Sequence, residues 1–227
     1  MMRVLRILAT LGLFSAMLVP ATAETSYTCF DQEATIVGTP EADVLEGTNL
    51  IDVIVALGGN DQASGGHRKD YLCGSAGDDL LSGGGSADFI DGSRGVDRIA
   101  GSEGNDFLVG GDGNDYFQPY DGADTVYGGL GNDVIDNIDL PRRPDIHFHD
   151  VIHGGPGNDK VYAFLDQGGS DNIYGDEGDD RLDSTAGNLG SEPDGPDRVD
   201  GGEGYDKCFV DVIDEVFNCE DVRIVTK

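Results

Sequence analysis

The sequence predicts an all-β solenoid of nonapeptide repeats, two repeats per coil, with short strands stacked in parallel. Three observations predict it. An aspartate recurs every nine residues in unbroken register, at Asp43, Asp52, Asp61, Asp70, Asp79, Asp88, Asp97, Asp106, Asp115, Asp124 and Asp133. Two residues after each stands Leu45, Ile54, Ala63, Leu72, Leu81, Ile90, Ile99, Leu108, Phe117, Val126 or Ile135, so a candidate buried position shares the period. Glycine fills the first position in nine of these eleven units, counting the aspartate as the sixth. Self-similarity at a fixed short interval marks stacked coils, each contacting only its neighbours.

Each part of the unit follows from its residue types. Glycine among the first five positions permits positive φ and close backbone approach, which suits a tight turn. The triplet after the aspartate reads as a minimal strand, with Leu108 pointing inward and Phe107 and Val109 outward by strand alternation. Two units make a coil of 18 residues, which aligns Asp61, Asp79, Asp97, Asp115 and Asp133 on one edge. Asp52, Asp70, Asp88, Asp106 and Asp124 align on the other.

Register lapses at "NIDLPRRP" and resumes with Asp150, Asp159, Asp171, Asp180, Asp197 and Asp206. Insertions at 137–144, 163–165 and 184–191 read as outward excursions from one continuous array. The expected organisation is a signal peptide over 1–23, an N-terminal cap over 24–37, the repeat array over 38–209 and a C-terminal cap over 210–227.

Stacked coils lie about 4.8 Å apart, so a column of aligned carboxylates repels itself unless cations sit between its rungs. Carboxylates and turn carbonyl oxygens are the hard ligands that Ca²⁺ accepts at about 2.4 Å. A merely solvated acidic face would need neither the nine-residue period, nor glycine before the acid, nor an aliphatic residue after it.

Residues 110–118, "GGDGNDYFQ", and 128–136, "GGLGNDVID", carry every constrained position of a known pattern. They resemble the GGxGxDxUx repeat of RTX-type, hemolysin-type calcium-binding proteins. The resemblance spans roughly residues 38 to 209 and implies a parallel β-roll, a kind of β-helix, with Ca²⁺ held between turns of alternate repeats. The metal ligands expected on this basis are Asp61, Asp79, Asp88, Asp97, Asp106, Asp115, Asp124, Asp133, Asp159 and Asp180. The fourth position departs from glycine at Glu41, Leu50, Arg68 and Ser86, and Arg68 would bring a cation near the metal. The edge with Gly59, Gly77, Gly95, Gly113 and Gly131 is therefore expected to bind better than the early part of the other.

Composition narrows the partners. With 44 acidic against 14 basic residues and a formal charge of −30, nucleic acid and acidic membrane surfaces are poor partners, and none is expected. The absence of Trp and 7% aromatic residues argue against a large aromatic core. "MMRVLRILATLGLFSAMLVPATA" has Arg3 and Arg6, an apolar stretch over 7–19 and Ala21-Thr22-Ala23, the layout of a cleaved secretory signal. The stretch falls short of the roughly 20 residues that span a bilayer. Removing Arg3 and Arg6 takes the charge from −30 to −32 and sends the chain to an oxidising, extracellular setting. Cys73 follows inward Leu72 and so points outward, within reach of Cys29; Cys208 ends the array, where Cys219 can fold back to it. The pairs expected are Cys29–Cys73 and Cys208–Cys219.

Neither HExxH nor GxSxG occurs in the chain, and a non-enzymatic role is expected. His147, His149 and His153 beside Arg142 and Arg143 read as a polar turn insertion rather than a transition-metal or acid–base site. The reading is a secreted calcium-binding β-roll with a structural or interaction role. Its expected partners are Ca²⁺ and a cell-envelope or extracellular polysaccharide or protein. One alternative is a lyase or epimerase acting on acidic polysaccharide through Arg142, Arg143 and His147, which is awkward for a chain of this charge. A surface adhesin would require outward threonine ranks, yet Thr125 alone directly follows a repeat aspartate.

Overall fold

The structure, a computed structural model, describes residues 26–137, 148–163, 169–185 and 195–225. Among these every regular element is a strand, and about nine turns of a parallel solenoid stack along one axis. A short antiparallel hairpin, β1 (Thr28–Cys29) and β2 (Gln32–Glu33), precedes the stack. The odd-numbered strands then form one ten-stranded parallel sheet: β3 (Ile36–Val37), β5 (Val53–Val55), β7 (Tyr71–Ala76), β9 (Phe89–Arg94), β11 (Phe107–Asp112), β13 (Thr125–Leu130), β15 (Val151–Pro156), β17 (Asn172–Glu177), β19 (Arg198–Asp200) and β21 (Glu215–Phe217). The even-numbered strands form the other: β4 (Val44–Glu46), β6 (Gln62–His67), β8 (Leu80–Gly85), β10 (Arg98–Glu103), β12 (Tyr116–Asp121), β14 (Val134–Asp136), β16 (Lys160–Tyr162), β18 (Arg181–Asp183), β20 (Lys207–Val210) and β22 (Asp221–Ile224). Each strand pairs with the one two places on, so successive nonapeptides alternate between sheets.

The interior is a single seam. Ile54, Leu72, Ile90, Leu108, Val126, Ile152, Ile173 and Val199 form one fully buried column, and Ala63, Leu81, Ile99, Phe117, Ile135, Val161, Leu182 and Cys208 form the facing one. Ile36 and Leu45, in the first coil, are only partly buried because no coil lies above them.

Strands β6 to β13, β15 and β17 run for six residues, longer than the triplets the sequence suggested. β11 runs for six residues and carries Gly110 and Gly111 beyond the apolar triplet. Gly110 faces inward beside Leu108, and a Cβ there would meet Oδ2 of Asp115 and the carbonyl oxygen of Gly128. The first glycine of the unit is thus a strand residue that leaves room for the aspartate five places on. The turn glycines come later: Gly131 has φ +138°, and a Cβ on it would run into the carbonyl oxygen of Gly113 in the coil before.

Between stacked coils the step is 18 residues through the first part of the chain, then 26, 21 and 26. The enlarged steps follow β14, β16 and β18, all in the even sheet, and pairing continues across each of them. Of the expected insertions, residues 138–144, 164–165 and 186–191 lie outside the described residues.

Both expected disulfides are present, Cys29–Cys73 and Cys208–Cys219. The first ties the hairpin to the outer face of the odd sheet, where Cys29 packs with Val53 and Val55, and not across the open end. Phe30 of this hairpin lies against Tyr71, Phe89 and Phe107 at centroid distances of 6.4, 5.5 and 6.1 Å. The sequence separation of 44 gives about 4 kcal/mol in the loop-closure account, against about 3 kcal/mol for the separation of 11. Replacing Cys29 and Cys73 together with Ser is therefore expected to lower the denaturation midpoint, measured in excess calcium, by more than the same change at Cys208 and Cys219.

Candidate metal centre

The repeat aspartates stand at the two edges where one sheet turns into the other, and each from Asp52 onward is buried, Asp43 of the first coil only partly. On the first edge Oδ1 of every aspartate accepts the backbone N–H of the aspartate one coil earlier. Asp43 donates to Asp61, Asp61 to Asp79, Asp79 to Asp97, Asp97 to Asp115, Asp115 to Asp133, Asp133 to Asp159, Asp159 to Asp180 and Asp180 to Asp206, at 2.7–2.9 Å. The second edge repeats this from Asp52 through Asp70, Asp88, Asp106, Asp124, Asp150 and Asp171 to Asp197. All ten aspartates named from the sequence fall in these two columns, Asp88, Asp106 and Asp124 on the second and the other seven on the first.

The remaining carboxylate oxygen differs along the columns. Oδ2 of Asp61, Asp70, Asp79, Asp88, Asp97, Asp106, Asp115, Asp133, Asp159, Asp180 and Asp206 is buried and accepts no hydrogen bond. At the N-terminal end it is satisfied instead: Oδ2 of Asp43 accepts from the amide and hydroxyl of Thr39 (2.6 and 2.8 Å), and that of Asp52 from those of Thr48 (2.6 and 2.8 Å). Asn137, at the inward place that glycine fills elsewhere, donates to Oδ2 of Asp150 at 2.6 Å. The C-terminal ends are closed by other acids, Asp214 accepting the amide of Asp197 and Glu220 that of Asp206.

Asp70 and Asp206 share the geometry of the predicted set. The period that found the others contains both. Arg68, two residues before Asp70, takes the turn conformation glycine would, at φ +73°. Its neighbour Lys69 reaches away to the outer face, with Nζ 4.1 Å from the Phe89 ring centroid.

The turns stack as closely as the strands. On the first edge a Cβ at Gly77, Gly95, Gly113, Gly131, Gly157, Gly178 or Gly204 would strike the corresponding carbonyl oxygen of the preceding coil. An additional ladder lies just outside it, unforeseen from sequence although its fifth-position Asn and Asp residues were visible. Asn114 accepts the amide of Asn132, Asn132 that of Asn158, Asn158 that of Asp179 and Asp179 that of Tyr205, at 2.7–2.9 Å.

Burial dominates the electrostatics of the metal-free columns. It pushes Asp88 up to about 8, Asp97, Asp159 and Asp180 to about 7, and Asp106, Asp115 and Asp133 to about 6. The accepted amide opposes the rise in each case, and carboxylates in adjoining coils add to it for Asp88, Asp97, Asp115, Asp159 and Asp180. Asp61, Asp70, Asp79 and Asp206 are raised for the same first reason. A buried carboxylate oxygen with no donor calls for a proton or a cation, and the charged form is tolerated only with the latter.

The pattern of the RTX calcium-binding nonapeptide repeat matches residues 37–67, 46–81, 64–99, 91–119, 100–135, 148–164 and 165–188. The chain belongs to the RTX calcium-binding nonapeptide repeat family. No curated protein matches it. Calcium is the ligand of these RTX repeats, and the unsatisfied oxygens fit it. Among the described residues no three His, Cys, Asp or Glu side chains converge on a common metal position. Soft or borderline metals with all-side-chain shells are poorly served by such an arrangement, whereas an oxygen-seeking ion can draw on carbonyl groups.

The histidine cluster does not assemble among the described residues. His149 Nδ1 accepts the Ser170 amide at 3.0 Å, while His153 lies on the outer face of the odd sheet between Tyr127 and Tyr174, 3.0 Å from Asp176. His147, Arg142 and Arg143 lie outside the described residues. No helix among the described residues is long and apolar enough to cross a membrane.

Proposed function

We propose that this RTX chain is a secreted, non-enzymatic scaffold whose coils are tied together by calcium held at the two aspartate edges. Asp61, Asp79, Asp97, Asp115, Asp133, Asp159, Asp180 and Asp206 would serve the first edge, and Asp70, Asp88, Asp106 and Asp124 the second. The observation that carries the reading is the run of buried Oδ2 atoms without donors from Asp61 to Asp206 on the first edge and at Asp70, Asp88 and Asp106 on the second, in contrast to Asp43, Asp52 and Asp150, where Thr39, Thr48 and Asn137 supply one. Bound Ca²⁺ supplies the positive charge that these oxygens lack. The protein contributes fixed positions: each carboxylate is oriented by the amide it accepts, so Oδ2 is presented at the same place in every coil. The array acts on cell-envelope or extracellular polysaccharide or protein as a rigid support and not as a catalyst. The signal-like layout of residues 1–23 supports the secreted location.

Asp115 sits inside its column, with a coil on either side, whereas Asp206 is its last aspartate. Asp115→Ala is therefore expected to lose more bound calcium, and more thermal stability in calcium, than Asp206→Ala. Isothermal titration of both variants measures this, and equal stoichiometries would contradict the assignment.

A further inference from the structure

The outer face of the even sheet carries a row of cations that the roll does not require. Lys160, Arg181 and Lys207 are direct cross-strand neighbours on β16, β18 and β20. Like charges set opposite each other weaken a sheet. In earlier coils the row runs through Leu80, Arg98, Tyr116 and Val134, and it ends on Asp221 beside Lys207, so no rule of the repeat imposes cations. Only 14 Lys and Arg occur in a chain of charge −30, which makes three in register on adjacent strands a costly concentration.

The row is also pre-organised. The Arg181 guanidinium lies 3.9 Å from the Phe209 ring centroid and 5.9 Å from that of Tyr162, and is tied to Asp183 at 3.0 Å. Arg223 of β22 lies 5.5 Å from Phe209 and 3.1 Å from Asp221. Aromatic contact fixes a guanidinium while leaving donors for a carboxylate. Lys160 and Lys207 are exposed and form no ion pair among the described residues.

We infer that this face binds a linear acidic polysaccharide, laid along the roll axis with sugar carboxylates over Lys160, Arg181 and Lys207. The cations repeat once per coil, about 4.8 Å apart in a straight line, which suits a thin polymer carrying charge along its length. A denser or broader polyanion, such as nucleic acid or an anionic bilayer, would also meet the surrounding acidic surface and be repelled. The inference deepens the interaction role proposed above and rests on that reading, since calcium both holds the strands in register and lowers the protein's own negative charge.

The test is calorimetric titration of the calcium-saturated protein with oligogalacturonates too short to gel with calcium. The methyl-esterified oligomer, a single-stranded oligonucleotide and phosphatidylglycerol vesicles serve as separate arms. Binding to the acidic oligomer is expected, weaker with added salt. It should fall at least tenfold in Lys160→Glu/Lys207→Glu and survive in Lys160→Arg/Lys207→Arg, with calcium uptake unchanged in both. Should the glutamate variant fail to fold, Lys160→Gln/Lys207→Gln replaces it with the same loss expected. The inference is overturned by absence of binding, by equal binding of the ester, by unchanged affinity in the variants, or by preference for the oligonucleotide or vesicles. A chain that takes up calcium yet ignores the oligomer loses this surface and keeps its metal columns; one that binds the oligomer without taking up calcium does the reverse.

Discussion

Chelation of calcium is expected to abolish the β-sheet signal of this protein, and readdition to restore it. The core is two facing columns one side chain wide, so each coil buries little apolar surface against the backbone entropy of ordering a glycine-rich segment. Opposed to that small gain stand two columns of carboxylates, among which the buried Oδ2 atoms of Asp61, Asp79, Asp97, Asp115 and their like lack donors. Ionised and without metal, each costs the folded state more than the about 1–3 kcal/mol of an unsatisfied neutral group. Calcium binds the stacked coils and hardly the open chain, so stability should climb with its free concentration by mass action. Far-UV circular dichroism during chelation and readdition measures the effect. A full β spectrum that persists in excess chelator would refute it.

Acid is expected to substitute in part for the metal. The folded-state values of about 6 to 8 at Asp88, Asp97, Asp106, Asp115, Asp133, Asp159 and Asp180 lie above those of free aspartate near 3.8. Between about pH 4 and 8 the folded chain therefore holds protons that the unfolded chain has released. By linkage, metal-free stability must fall as pH rises through that window. In chelator, the β signal should be larger at pH 5 than at pH 8. In calcium the trend reverses, because protons compete for the same oxygens and the apparent calcium affinity drops on acidification. Dichroism in chelator at the two pH values, paired with calcium titrations, checks both signs. A metal-free chain that is no better folded at pH 5 would count against the buried-carboxylate account.

The fold was legible because one period fixes everything that repeats. Asp at the sixth place and an aliphatic residue at the eighth determine which side chains face in, and all inner residues from Ile54 to Ile135 are buried as that period requires. Strand length was less legible, since Gly110 reads as a turn residue until the carboxylate of Asp115 is seen to occupy the space its side chain would need. The unused oxygen of each aspartate was hidden for a related reason. Whether Oδ2 is open depends on a neighbour four places back, as with Thr48 and Asp52, or on an insertion residue such as Asn137 beside Asp150. Leu50 in place of the glycine found at Gly59 sets the Asp52 unit apart from that of Asp61, but does not reveal that Thr48 satisfies the Asp52 Oδ2. The cation row escaped notice because Lys160, Arg181 and Lys207 are 21 and 26 residues apart, and only the enlarged coil steps bring them into line.

The carboxylate columns have a direction. In every rung the amide belongs to the earlier coil and the accepting oxygen to the later one. A partly formed roll that stops after any coil therefore leaves two buried amides open at its C-terminal face, while its N-terminal face has already spent its own. Only Asp214 and Glu220, which accept from Asp197 and Asp206, end the run without asking for another coil. The chain thus carries an asymmetric stop signal: coils can be appended behind it only by moving those two acids, and a truncation just before residue 211 should leave a growing tip rather than a finished end.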